Sequence, residues 1–484
     1  MHVTAETIAG SVAVTAISVT DRWDYPRTRF RYQSALLSIK DDLGLPHEAK
    51  IYYSSTAYSG FYSAFWLVLV YMAIAPVVKQ VRLSGSLASW EILSLSLTRL
   101  PELLLAEVAL HSISIGCLIF QRLCAAQLIR WESSGWLLQS LFELGFLASV
   151  SAFLLYIRWP WPHFIFFLLH FLVHLMKMHS YSFYNGFLST KYHELLTLAD
   201  NEPLSERESL ESELRSTLGN VNYPENLSAT NVIFWLSIPT LCYELEYPRT
   251  PKVRVAHLTR MIIGLVCTIA MFYSIVEFYV LPVLKQYKAE YNQLESGLLI
   301  KPVLLVISCT LELMYPITIS YLIAFVLIWQ LVLNCFAEIT RFGDRLFYED
   351  WWNATSLSEY ARKWNVPVQR FLWRHVYYPL SVHFSRRELA GRSQAPLSAF
   401  HITSKAKYKA MVCTFMLSSA VHELVGSLSD RRIRGWQFFF QMFQIILTTI
   451  QEKTLQSNRV LANIVNWIIL IFGLAFVGTV YLVT

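Results

Sequence analysis

Apolar residues in this chain come mostly in long unbroken runs, and polar residues collect between them. About 20 consecutive apolar residues carry a helix across a bilayer core of about 30 Å. Nine runs approach that length, near 61–81, 102–124, 136–157, 161–178, 258–284, 303–336, 408–428, 434–450 and 460–483. The 303–336 run is too long for one upright helix and contains Pro316, which predicts a kink, a tilt or two half-helices. A shorter run at 230–246, with Asn231-Val-Ile-Phe-Trp-Leu-Ser-Ile-Pro239, reads as interfacial or re-entrant. There is no internal repeat and no low-complexity tract. The expected fold is an all-α polytopic membrane protein of about nine transmembrane helices. Residues 1–60 form a polar cytosolic segment and residues 61–484 the membrane-embedded domain.

The polar stretches set an orientation. Residues 337–407 hold 11 Lys/Arg against 6 Asp/Glu, so the positive-inside rule places them in the cytosol. Counting spans from there puts the N-terminus in the cytosol and the C-terminus in the lumen. The 179–257 stretch is then cytosolic, despite its acidic part from Glu202 to Glu213, and one luminal loop lies near 285–302. Tyr25 to Lys40 mixes aromatics with arginine and suits a membrane surface. Ile8 to Val19 is too short to span and lacks a basic flank, so no cleavable signal is expected.

Composition sharpens this picture. Of 484 residues, 55% are hydrophobic and 15% charged, whereas soluble domains carry about a quarter charged residues. The net charge of +6 sits beside apolar spans, which argues against a nucleic-acid partner. The seven cysteines form no CxxC pair, so neither a zinc site nor a disulfide framework is expected.

Two features carry candidate chemistry. His422 lies inside the apolar run Met411 to Val425, ~20 Å up a helix counted from Lys407 to Lys409. An ionisable group at that depth is costly, and imidazole moves protons near neutral pH. Two readings stand from position alone: a packing histidine bonded to a neighbouring helix, or a histidine doing chemistry. A zinc-protease motif is excluded because HExxH would require histidine at position 426, which is Gly426. The second feature is the basic, tryptophan-rich stretch with Phe347-Tyr-Glu-Asp-Trp-Trp-Asn353 and Arg362-Lys-Trp364-Asn365. Trp351, Trp352 and Trp364 beside Arg362, Lys363, Arg370 and Arg374 are an aromatic belt with basic anchors, or a mouth for a phosphorylated nucleotide carrier. Asp350, Asn353 and Asn365 have no role in a lipid anchor and favour the second. His170 and His174, spaced i, i+4 between His163 and His179, have metal-ligand spacing. No third ligand is evident nearby in sequence, so polar packing is expected and no metal.

Phe347-Tyr-x-Asp-Trp-Trp-Asn353, then Trp364-Asn365, then His422-Glu423 in a late span, resembles the membrane-bound O-acyltransferase family, in its sterol and diacylglycerol acyltransferase branch. Met176 to Phe187, Arg374 to Tyr377 and Gly435 to Met442 are similar to fungal sterol acyltransferases, while Pro239 to Arg249 is common to the branch. The resemblance implies an endoplasmic-reticulum enzyme, a homodimer or larger, that moves a fatty acyl group from acyl-CoA to a sterol, ergosterol being the expected one, without a cofactor. It implies catalytic roles for His422 and Asn365. It places Phe347, Tyr348, Asp350, Trp351, Trp352, Asn353, Arg362, Trp364, Lys407 and Ser418 at or near acyl-CoA. Ala361 and Gln369 depart from the Tyr and His of some animal relatives. A polar insertion, Arg386 to Ser404, lengthens the spacing between Asn365 and His422. The expected chemistry is direct transfer, with His422 as general base and Asn365 as donor to the thioester carbonyl. A covalent Ser418 intermediate is the less favoured route. The alternatives are diacylglycerol as acceptor and, further off, a non-enzymatic lipid transporter.

Overall fold

The computed structural model describes residues 59–85, 91–198, 204–294, 300–390, 402–455 and 457–483. It is helical almost throughout; the only extended pairings among the described residues are two isolated bridges, Arg215 with Asn222 and Arg249 with Phe342. Each of the nine apolar runs falls on a helix. Among the described residues, seven helices are long and apolar enough to cross a membrane: Leu100–Ala125, Trp131–Ile157, Trp161–Thr197, Val255–Asn292, Ile300–Ile339, Ser404–Asp430 and Arg459–Leu482. The runs at 61–81 and 434–450 fall on the helices Ser59–Ser84 and Trp436–Thr454, outside that set. Gln437, Gln441, Gln444 and Gln451 dilute the apolar character of the latter, so nine is an approximate count.

Three helices run past the limits that hydropathy gives. The 161–178 run continues to Thr197 as a 37-residue helix, ~55 Å long at 1.5 Å per residue. Its second half buries Ser180, Ser182, Asn185 and Ser189 against protein. Hydropathy reports burial in lipid and is silent on a polar face packed inside the molecule. The 258–284 run likewise extends over 38 residues and the 303–336 run over 40.

The last of these is one helix, not two half-helices, and Pro316 lies inside it. Its irregularity is a π-turn at Val326–Val332. A π-turn widens the ring and loosens the i→i−4 ladder. Asn334, buried just beyond, donates from Nδ2 to the carbonyls of Trp329 and Gln330, each at 3.1 Å. The backbone acceptors at the turn are thereby satisfied.

The 230–246 segment opens as a short helix partly packed into the protein. Ser228 caps a short helix, Ala229–Ser237, whose Val232 and Trp235 are buried. The helix ends on Lys177, which donates from Nζ to the carbonyls of Trp235, Leu236 and Ile238 at 2.8, 3.2 and 2.6 Å. A cation on the terminal carbonyls satisfies both the hydrogen bonds and the negative end of the helix dipole.

The basic 337–407 stretch is not an open loop. It holds the helices Leu357–Trp364, Val366–Leu372 and Tyr378–Ala390, the last two joined by a π-turn at Trp373–Tyr377. Tyr378–Ala390 and that π-turn pack along the Ser404–Asp430 helix. Ile8 to Val19, Tyr25 to Lys40 and positions 391–401 of the insertion lie outside the described residues.

Candidate active site

The helix that carries His422 is fixed at its start. Thr403 caps it, accepting from Ala406 N at 3.1 Å. Glu388 of the neighbouring helix accepts from Thr403 Oγ1 at 2.6 Å and Lys409 Nζ at 2.9 Å. These hydrogen bonds, that of Thr403 first, hold the Glu388 carboxyl below its usual range. Lys409 is thereby occupied, while Lys407 is exposed and makes no ion pair among the described residues.

His422 is exposed within the chain, and its Nδ1 lies 2.8 Å from the backbone oxygen of Ser418. A carbonyl oxygen only accepts, so Nδ1 carries the proton. The neutral ring then presents an unprotonated Nε2, the form a general base needs. The contact that His422 makes with Ser418 is to its backbone oxygen rather than its hydroxyl.

Glu423, the next residue, is spent on structure. Its carboxylate accepts from Tyr481 Oη at 2.6 Å, Gly435 N at 2.7 Å, Ser427 Oγ at 2.9 Å, Gln437 N at 3.1 Å and Phe438 N at 3.2 Å. It therefore caps the Trp436–Thr454 helix through the open amides at its start. Gly435 makes the turn at φ 77°, where a side chain would be strained. Gly426 has its own reason to lack a side chain, because a Cβ there would come within 2.9 Å of the Tyr481 ring.

Asn365 sits at the joint between two helices. It ends Leu357–Trp364 and caps Val366–Leu372, its Oδ1 accepting from Val368 N at 3.3 Å. The cap uses the acceptor, and among the described residues the Nδ2 donor has no protein partner; it is the half of the amide an oxyanion requires. Asn365→Ala is expected to lower turnover more than it weakens acyl-CoA binding. Asn365→Asp keeps the cap and loses the donor, so it separates the two. Full turnover in Asn365→Asp would leave capping as the residue's whole role.

The tryptophan block divides into buried and open members. Phe347 and Trp351 are each 2% exposed. Trp351 lies 5.1 Å from Phe325, 5.5 Å from Trp364 and 5.6 Å from Trp467, ring centre to ring centre. Trp364 lies 4.4 Å from Trp329 and is stacked at 4.9 Å on Tyr321. Phe347 and Trp351 are therefore core residues. Their buried aromatic area sets the shape of the block. Tyr348 donates to Gln330 Oε1 at 2.8 Å, beside the π-turn. Trp352, Asp350 and Asn353 are the exposed members. The Trp352 carbonyl is held by Asn463 Nδ2 at 2.9 Å and Trp467 Nε1 at 3.1 Å.

The cations divide in the same way. Lys363 bridges Asp350 and Glu359, each at 2.8 Å. Burial pushes the Glu359 carboxyl up, but hydrogen bonds from Lys363 and Thr355 outweigh it and hold the carboxyl at about 2. Arg370 pairs with Asp344 at 2.6 Å and Arg374 with Glu244 at 2.7 Å. Of the four cations in this stretch, Arg362 alone among the described residues is exposed with no acidic partner, which leaves it open to a phosphate.

The Arg374–Glu244 pair is the feature that sequence reasoning missed. Both side chains are almost fully enclosed, at 2% and 4% exposure. Arg374 also donates to the Tyr243 carbonyl at 3.0 Å and lies 4.7 Å from the Tyr184 ring centre. The pair joins the branch-wide stretch Pro239 to Arg249 to the π-turn that packs on the His422 helix. A glutamate and an arginine in two separately noticed motifs were the only signal.

Comparison with known proteins closes the description. A family model described as MBOAT, the membrane-bound O-acyltransferase family, matches residues 105–483. The chain is 32% identical over 478 residues to a protein of Schizosaccharomyces pombe named probable sterol O-acyltransferase 2, covering 96% of this chain and 95% of that protein. It is 32% identical over 451 residues to sterol O-acyltransferase 2 of Saccharomyces uvarum, covering 88% of this chain and 66% of that one. Diacylglycerol O-acyltransferase 1 of Dictyostelium discoideum is 31% identical over 259 residues, covering 54% of this chain and 37% of that one. With a helical membrane fold, the signature block and a match running from the second predicted span to the C-terminal helix, the chain belongs to the membrane-bound O-acyltransferase family.

Proposed function

We propose that this protein transfers a fatty acyl group from acyl-CoA to the 3β-hydroxyl of a sterol, with ergosterol as the expected acceptor. The observation that carries the acceptor is the near end-to-end similarity to a sterol enzyme, against a match of about half the chain to a diacylglycerol enzyme. Family membership removes the transporter alternative. Nε2 of His422 takes the hydroxyl proton as the oxygen attacks the thioester carbonyl carbon. Asn365 Nδ2 donates to the carbonyl oxygen as charge develops there. The carbon–sulfur bond then breaks, and the coenzyme A thiolate leaves with the proton. The exposed Arg362, Lys407, Trp352, Asp350 and Asn353 form the acyl-CoA mouth, and no cofactor takes part. The resemblance supports a homo-oligomer in the endoplasmic reticulum membrane.

The test is expression in cells that lack sterol esterification and triacylglycerol synthesis, with labelled oleoyl-CoA supplied to their microsomes. Label is expected in sterol ester. Label in triacylglycerol alone would overturn the sterol assignment and leave the acyl-transfer assignment in place.

A further inference from the structure

We propose that His111, His170 and His174 hold a divalent transition-metal ion of the zinc class, between the helices Leu100–Ala125 and Trp161–Thr197 and apart from the residues of acyl transfer. One nitrogen of each ring lies within 4.8 Å of the others. A tetrahedral zinc with bonds of about 2.0–2.1 Å draws its nitrogens to roughly 3.4 Å, which small rotations of the three rings supply. His111 is the third ligand that spacing along the chain does not show, because it comes from a different helix.

The hydrogen bonds fix the state of each ring. His111 Nδ1 lies 2.8 Å from the Glu107 carbonyl, which only accepts. His170 Nδ1 lies 2.6 Å from the Glu107 carboxylate. His174 Nδ1 lies 2.8 Å from Ser114 Oγ, whose own proton goes to the Leu110 carbonyl at 2.9 Å, so Ser114 accepts as well. Every Nδ1 proton is thus committed to an oxygen, and each ring is left with Nε2 as a lone-pair donor. Outer-shell oxygens of this kind orient metal-binding histidines.

A second observation points the same way. Glu107 Oε1 is buried with no hydrogen-bond partner among the described residues, at the level of the bilayer where an uncompensated carboxylate is costly. An ion pair of His170 with Glu107 accounts for two residues only. It does not account for the gathering of a ring nitrogen from each of three histidines within 4.8 Å. A cation answers both. His174 is 1% exposed, whereas the side chains of His111 and His170 are 46% and 33% exposed, which leaves room for a water in the fourth position. Imidazole donors suit zinc, copper, iron and nickel over magnesium and calcium.

The test uses the full chain purified in detergent. Elemental analysis is expected to find about one zinc-class ion per chain after washing. Cobalt(II) loading is expected to give the visible absorption of a tetrahedral nitrogen site. His174→Ala and His111→Gln should each lose both signals, and Glu107→Gln should weaken binding by about 10- to 100-fold. Wild-type chain that holds no stoichiometric metal, as purified or after cobalt loading, overturns the proposal. Metal retained in both histidine variants does so too. The wild-type measurements decide the matter if a variant fails to fold.

Discussion

Replacing His422 with alanine is expected to lower turnover by about 10²- to 10⁴-fold, the usual contribution of a positioned general base. Expression, insertion and acyl-CoA binding should be unchanged. The reason is local. His422 Nδ1 is committed to the Ser418 carbonyl and the residue is exposed within the chain, so the ring offers Nε2 for chemistry and contributes little to packing. Glu423, not His422, carries the contacts that hold this helix to its neighbour. The measurement is sterol-ester synthesis by purified protein, normalised to folded chain and to acyl-CoA affinity. Substantial turnover in well-folded His422→Ala would remove the histidine from the chemistry. Ser418→Ala keeps the carbonyl and therefore the tautomer. A loss as deep as that of His422→Ala would favour the covalent route.

The second large effect is on stability. Arg374→Ala leaves the Glu244 carboxylate enclosed without its partner, which typically costs about 3–5 kcal/mol. Glu244→Leu should be comparable, because the guanidinium is then stranded. The double variant Arg374→Met with Glu244→Leu should recover much of the loss, since two apolar groups of similar volume need no counter-charge. Thermal unfolding in detergent, followed by tryptophan fluorescence, gives all three values. Simple addition of the two single losses in the double variant would show that the residues act independently.

What the sequence made legible follows from what apolar runs encode. Helices that are apolar along nearly their whole length, such as Leu100–Ala125 and Arg459–Leu482, match their apolar runs to within a few residues. The second half of Trp161–Thr197 was not. Its serines and Asn185 are buried by protein, and only the assembled fold reveals which polar faces are covered. The candidate site divides similarly. His422 stood out because a titratable side chain in an apolar run has few explanations. The separation of Phe347 and Trp351 from Trp352 was invisible, since adjacent aromatic residues read alike until one is enclosed. Lys363, Arg370 and Arg374 looked like phosphate ligands until Asp350, Asp344 and Glu244 appeared beside them. Partnerships across dozens of residues leave no mark in local composition.

The π-turn at Val326–Val332 bears on how this chain can be recombined with its relatives. An α-helix rotates about 100° per residue, and a π-turn holds one residue more than the α-turn it replaces. The azimuth of everything beyond Val332 is therefore set by the residue count within seven positions. Chimeras joined upstream or downstream of the turn should keep Trp329 and Phe325 aimed at Trp364. A junction inside it that gains or drops one residue would swing Asn334 and Glu338 to another side of the helix. A one-residue gap there re-aims the face that packs on the tryptophan block, even though it changes neither the hydropathy nor the apparent span of the helix.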